Sequence, residues 1–155
     1  MIIRKYQPTD KQSVLELLRL NTPHFFSPNE EKDLILYLDH HAGNSYVVEM
    51  DDIIVGIGGF NLTDDGATAR LSWDIFHPQT RRMGLGTTLT NFRIQRIMEI
   101  PGVMTLSVRT SQFAYKFYER FGMEIREIVK DYWDVGFDLY RLDCSLVSVS
   151  IVGQK

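Results

Sequence analysis

The segment that most constrains this chain runs Phe76-His77-Pro78-Gln79-Thr80-Arg81-Arg82-Met83-Gly84-Leu85-Gly86-Thr87. It falls where one strand, closed by Pro78, gives way to a long helix read from Arg82 to Ile100. Such a junction aims several free backbone N–H groups outward together, and the helix dipole adds to their pull on an anion. Gly84 and Gly86 remove side chains that would keep a phosphate at a distance, while Arg81 and Arg82 add positive charge beside it. A pyrophosphate is the natural occupant. The bland alternative is that two glycines only permit close strand–helix packing.

Other phosphate loops fit less well. A P-loop needs Gly-Lys-Ser/Thr, and the chain has no such tripeptide. A dinucleotide fingerprint wants a third small residue where Leu89 stands, and it follows an early first strand. Here the segment comes after a run of strands that read as antiparallel.

Those strands are bounded by clear turn signals. Ile2 to Tyr6 reads as a first strand, and Thr9 to Gln12 has the form of a capping box opening a helix striped by Val14, Leu15, Leu17 and Leu18. A loop with adjacent Phe25 and Phe26 leads to a second helix from about Asn29 to His40. Ser45 to Met50 and Ile53 to Phe60 flank the hairpin signal Asp51-Asp52, and a strand from Ala69 to His77 follows the turn at Asp64-Asp65-Gly66. Beyond Pro101-Gly102 come a strand from Val103 to Arg109, a helix from Ser111 to Phe121 stopped by Gly122, and strands over about Met123–Lys130 and Phe137–Leu146. The residues after Leu146 read as a poorly ordered tail. The organisation is therefore one mixed α/β domain over 1–146 with a tail over 147–155.

Composition narrows the function. At 155 residues the chain suits one domain with a real core. The formal net charge of -3 and the scattered lysines and arginines argue against a nucleic-acid surface, which needs a basic patch. No apolar run approaches the ~20 residues that span a bilayer. Cys144 is the single cysteine, which excludes an intrachain disulfide and a cysteine-based zinc site. His24, His40 and His41 form no convincing metal set. A cytoplasmic location is the default expectation, and Asn61-Leu62-Thr63 is discounted as a glycosylation site.

Arg81-Arg82-Met83-Gly84-Leu85-Gly86 resembles the Gln/Arg-x-x-Gly-x-Gly/Ala signature of the GNAT superfamily of N-acetyltransferases. Phe76-His77-Pro78 resembles that family's Val-x-Pro before it. Ser111 to Met123, with Ala114, Phe117, Tyr118 and Gly122 in register, looks like the second family motif, Asn-x-x-Ala-x-x-Phe-Tyr-x-x-x-Gly-Phe. The order of elements from Ile2 to about Leu146 is similar too. Two departures are Ser111 in place of Asn and Arg82-Met83 in place of Gly-Lys. The resemblance implies a mixed, mostly antiparallel sheet of about six to seven strands with about four helices, the acyl-CoA N-acyltransferase fold.

It also implies chemistry: transfer of acetyl from acetyl-CoA to a primary amine of a small molecule or peptide, by direct attack in a ternary complex. Cofactor contacts carry over to Phe76, Arg81, Arg82, Met83, Gly84, Leu85, Gly86, Thr87, Ser111, Ala114 and Phe117. Backbone groups near Phe76 would hold the pantetheine arm and polarise the thioester carbonyl. Tyr118 is the candidate general acid, because a phenol of ordinary acidity is protonated at neutral pH. A helix from Ser111 onward would place Ser111, Ala114 and Tyr118 on one face; the competing role for Tyr118 is a core aromatic.

Asp74 is the candidate base. It alternates with Phe76, so both point to one face of a regular strand, with Trp73 and Ile75 on the other. An exposed or salt-bridged Asp is the alternative, Glu49 and Asp138 are rivals, and solvent could suffice. Phe25 and Phe26 could cap an acceptor pocket or tuck into the core. Tyr132 and Trp133, read as lying between the last two strands, would suit an amine with an apolar body, or form a solvated hairpin or dimer contact. A homodimer is compatible with the family, though no sequence feature proves it. An acyl-CoA-binding sensor or scaffold without turnover remains the rival function.

Overall fold

The computed structural model describes residues 1–153. Seven strands hydrogen-bond in the order β1-β2-β3-β4-β5-β7-β6. They are β1 (Ile2–Lys5), β2 (Ser45–Met50), β3 (Ile53–Leu62), β4 (Thr68–Phe76), β5 (Thr105–Thr110), β6 (Glu124–Asp134) and β7 (Phe137–Ser145). Four helices accompany them: α1 (Lys11–Leu20), α2 (Glu31–His40), α3 (Leu85–Met98) and α4 (Tyr115–Glu119). The pairs β1–β2, β2–β3, β5–β7 and β6–β7 are antiparallel, whereas β4 runs parallel to β5. This is the mixed, mostly antiparallel architecture expected. The chain divides into two compact units, 1–59 with 73–90 and 60–72 with 91 onward.

The first unit is built on a hairpin and two amphipathic helices. Asp51 and Asp52 both take positive φ, 53° and 64°, the backbone of the tightest β-hairpin turns. Val14, Leu15, Leu17 and Leu18 of α1 and Leu34 and Leu38 of α2 bury against Val47, Ile57 and Ile75 of the strands. That is the stripe read from the sequence, now given its partners. Arg4 on β1 ties the edge down, with Nη1 at 2.8 Å from Asp10 Oδ2 and Nε at 2.8 Å from Glu49 Oε1. The Arg4 hydrogen bond holds the Asp10 carboxyl below its ordinary pKa.

The start of α1 differs from expectation. Pro8 opens a short 3-10 turn, Pro8–Asp10, and Asp10 Oδ2 accepts the backbone N–H of Gln7 at 2.8 Å. The cap is thus the Gln7–Asp10 pair, shifted two residues ahead of the Thr9–Gln12 pair, because proline at the first helical position favours an earlier start. A second cap precedes α2, where Glu30 Oε2 accepts from Ser27 N at 2.7 Å.

In the second unit, Thr68–Leu71 of β4 pairs with Thr105–Val108 of β5, and β5 pairs in turn with β7. Ile94 and Ile97 of α3, Leu106 of β5, Phe121, and Leu139 and Leu142 of β7 are all buried. Strand β6 continues to Asp134, past the expected end at Lys130, with Asp131 at φ 54° and register irregularities along it. Tyr132 and Trp133 therefore lie within the strand and not in the connection after it.

The residues after Leu146 are also better fastened than a loose tail. Ser150 N donates to Phe121 O at 2.9 Å, and the Asn91 side chain and the Val152 backbone exchange two hydrogen bonds, at 2.8 and 3.2 Å. Residues 154 and 155 of the expected tail lie outside the described residues. No helix among the described residues is long and apolar enough to cross a membrane.

Candidate functional site

In the first unit the candidate residues gather at the end of β4 and in the loop that follows. Trp73 has φ 56°, an irregularity in the strand that costs about 1–2 kcal/mol for a residue with a Cβ. Even so, Trp73 packs on the same core cluster as Ile75, while Phe76 lies against Gly56 of the neighbouring strand. Gly56 makes room for Phe76: a Cβ on Gly56 would lie 2.4 Å from Phe76 Cδ1.

The strand's last carbonyl is held from an unexpected quarter. Asn21, the residue after α1, is buried and donates from Nδ2 to Leu17 O at 2.8 Å and to Phe76 O at 2.9 Å. His77 N donates to Val55 O at 2.8 Å, which fixes the exit from β4. Nothing in the sequence reading pointed to Asn21; the only signal was an amide side chain immediately after a helix.

Beyond Phe76 a short 3-10 turn, Pro78–Thr80, leads into the glycine loop. Arg82 and Gly84 both have positive φ, 67° and 77°, so neither can be helical and α3 begins at Leu85, three residues later than expected. Arg81, Arg82, Met83 and Gly84 are exposed, and a Cβ on Gly84 would meet nothing within 4 Å. Leu85 and Thr87 are buried. The helix supplies no partners for the N–H groups of its own first turn. Within the loop Arg81 N, Met83 N and Thr88 N already donate to Pro78 O, Thr80 O and Gly84 O, so what the segment offers an anion is the N-terminal end of α3 at Leu85 and Gly86, beside the exposed Arg81 and Arg82.

Phe25 and Phe26 part company. Phe26 packs on the core cluster and stacks on Trp73, with ring centroids 6.3 Å apart. Phe25 is half-buried beneath the guanidinium of Arg81, 4.3 Å from its ring centroid. Of the rival bases, Glu49 is engaged by Arg4 and Asp138 Oδ1 accepts from Asp131 N at 2.9 Å, each in a structural role.

In the second unit the other motif forms a turn and a very short helix. Ser111 Oγ accepts from Phe113 N at 3.2 Å, and Ser111 O accepts from Ala114 N and Tyr115 N. The bonds are those of a capped turn, and regular α4 begins only at Tyr115 because Ala114, at φ -128°, leaves the helical backbone. Ser111 and Ala114 therefore stand ahead of the helix, and the shared face holds only within the residues from Tyr115 onward. Tyr118 is buried, 4% exposed, with Phe117 edge-on at 5.1 Å between centroids.

Strand β6 is fastened to this turn region through residues the sequence reading passed over. Arg109 donates to Tyr132 Oη at 2.7 Å, Trp133 Nε1 donates to Thr110 O at 3.1 Å, and Gln112 bonds both Gly136 O and Asp138 N. Tyr132 and Trp133 thus carry structural bonds at their polar ends. No group of three His, Cys, Asp or Glu among the described residues could hold a metal ion.

Solved structures of known proteins share this fold. The Escherichia coli ribosomal-protein-S18-alanine N-acetyltransferase superposes with a TM-score of 0.75 at 18% identity, over 99% of this chain and 97% of that one. An aminoglycoside 6'-N-acetyltransferase complexed with coenzyme A gives 0.74 at 15% identity, over 100% of this chain and 99% of that one. The mouse cysteine-rich protein 2-binding protein is 31% identical over 100 residues, which is 64% of this chain but only 13% of that protein's length. The structural likenesses establish the fold. A family model described as "Acetyltransferase (GNAT) family" matches residues 12–123, spanning both the glycine loop and the Tyr118 turn, and the chain belongs to that family.

Proposed function

We propose that this protein is an N-acetyltransferase that moves acetyl from acetyl-CoA to a primary amine of a small molecule or peptide, within a ternary complex. The observation that carries the reading is the turn from Arg81 into the first residues of α3, Leu85 and Gly86. Positive φ at Arg82 and Gly84 turns the backbone outward at the start of a 14-residue helix, and open space surrounds Gly84. A pyrophosphate needs backbone donors, a helix N-terminus and unblocked approach, and this segment offers all three. Arg81 and Arg82 add charge that a coenzyme phosphate would meet at the surface.

Bound acetyl-CoA would supply an activated thioester, whose carbonyl carbon is open to an amine and whose sulfur leaves as a thiolate. The chain's own residues supply the rest. Backbone groups at Phe76 would align the pantetheine arm, and a single well-placed donor to the developing oxyanion is worth roughly 3 kcal/mol. Asp74, two residues before Phe76 on β4, would take a proton from the incoming ammonium. Tyr118 would give its phenolic proton to the departing sulfur. Holding both reactants in one complex supplies several further kcal/mol through orientation. Phe25, beside Arg81, would contribute an apolar wall for the acceptor, with Tyr132 and Trp133 as further contacts for an amine with an apolar body.

The test is thiol release from acetyl-CoA across a panel of small amines and N-terminal peptides, for the wild type and Tyr118→Phe. An enzyme releases coenzyme A faster with one acceptor class and loses most of that rate in the variant. Coenzyme binding with no acceptor-dependent release from any amine would contradict catalysis and favour a sensor.

A further inference from the structure

The loop after α1 and the end of β4 are joined by two contacts that cofactor binding and acceptor binding would both feel. Asn21 is the centre of the first. Its side-chain amide spends both hydrogens on carbonyls, Leu17 O at 2.8 Å and Phe76 O at 2.9 Å. Its own backbone carbonyl accepts Phe25 N at 2.9 Å and Phe26 N at 3.3 Å. Asn21 is 6% exposed, so water does not readily replace these bonds. The second contact is Arg81 over the ring of Phe25 at 4.3 Å.

We infer that Asn21 is a positioning residue that couples the coenzyme strand to the acceptor loop, so that coenzyme held along Phe76 also fixes the Phe25–Phe26 backbone. The inference rests on the proposed coenzyme site. Its physical content is a short chain of hydrogen bonds: the Phe76 peptide to the Asn21 amide, and the Asn21 carbonyl to the Phe25 and Phe26 amides. Ordering the Phe76 peptide lowers the entropy that the next residue in the chain must lose on ordering. Acceptor then meets a loop already set, which gives positive coupling between the two ligands, and by linkage the coupling works in both directions. Phe26 is anchored besides by its stack on Trp73, leaving Phe25 as the residue whose position depends most on Asn21 and Arg81.

Amide hydrogen exchange with and without saturating coenzyme A reads this coupling without any knowledge of the acceptor. In the wild type, coenzyme A slows exchange at the Phe25 and Phe26 amides by roughly threefold or more. In Asn21→Ala that coenzyme-dependent slowing is lost when both proteins are compared at saturating coenzyme A, with occupancy checked by calorimetry. A merely structural Asn21 would speed exchange equally with and without coenzyme, leaving the increment intact, and that result would overturn the inference. So would unchanged exchange at Phe25 and Phe26 in a wild type that binds coenzyme A. Should Asn21→Ala not fold, Asn21→Asp keeps the shape but turns a carboxylate on two carbonyls, and the same loss of increment is expected. A folded wild type that binds no coenzyme A would overturn the coenzyme site itself, a separate outcome from coupling that fails with binding intact.

Discussion

The two motif segments solve different problems with different parts of the residue. From Phe76 to Thr88 the work falls to the backbone: positive φ at Arg82 and Gly84, a strand end pinned by Asn21 and Val55, and side chains at Leu85 and Thr87 turned into the protein. From Ser111 to Gly122 it falls to side chains, with Ser111 capping its own turn, Gln112 gripping the β6–β7 connection, and Tyr118 buried against Phe117. A backbone site tolerates change at most side chains and fails when the chain path changes. A side-chain site does the reverse.

Three substitutions sharpen that contrast, beginning with the largest effect. Tyr118→Phe removes one hydroxyl and leaves the ring, so kcat should fall about 10²–10⁴-fold, the range for loss of a general acid, with acetyl-CoA affinity unchanged. A parallel loss of affinity would mean that Tyr118 serves the coenzyme's binding and not proton transfer. Gly84→Ala comes next. Its Cβ meets nothing within 4 Å, so the whole cost lies in the backbone at φ 77°, about 1–2 kcal/mol. Coenzyme affinity should weaken roughly five- to tenfold through a loop that escapes to other conformations; an unaffected Kd would show that φ at this position does not matter. Arg81→Gln should be smallest, a loss of about two- to fivefold that shrinks further in high salt, because the group is exposed. A large, salt-independent loss would instead place Arg81 in a desolvated contact.

What was legible in the sequence follows the same division. Gly-x-Gly after Pro78 announces a backbone event, because glycine is the residue that positive φ and close approach require, and the loop is where it was read. The hairpin turn at Asp51-Asp52 and the α1 stripe were legible for similar reasons, being local in sequence. The extent of α4 was not. Spacing of three and seven residues suggested a shared face for Ser111, Ala114 and Tyr118, yet the backbone departs from helix at Ala114, φ -128°, which residue spacing does not reveal. Asn21 was invisible because its partner Phe76 lies 55 residues away, a pairing created only by folding. The reach of β6 to Asp134 was missed because the strand was read as ending at about Lys130, whereas it runs on past an irregularity at Asp131.

The most direct test of the whole account is isothermal titration of the purified protein with acetyl-CoA, wild type against the double variant Gly84→Asp/Gly86→Asp. Two carboxylates in the loop bring both backbone strain and repulsion of a pyrophosphate. Saturable binding by the wild type is expected, with a loss of at least ~100-fold, about 2.8 kcal/mol, in a variant that still folds. A folded wild type that takes up no acetyl-CoA, or a variant that binds it equally well, would contradict the claim that the turn from Arg81 into α3 is the coenzyme site.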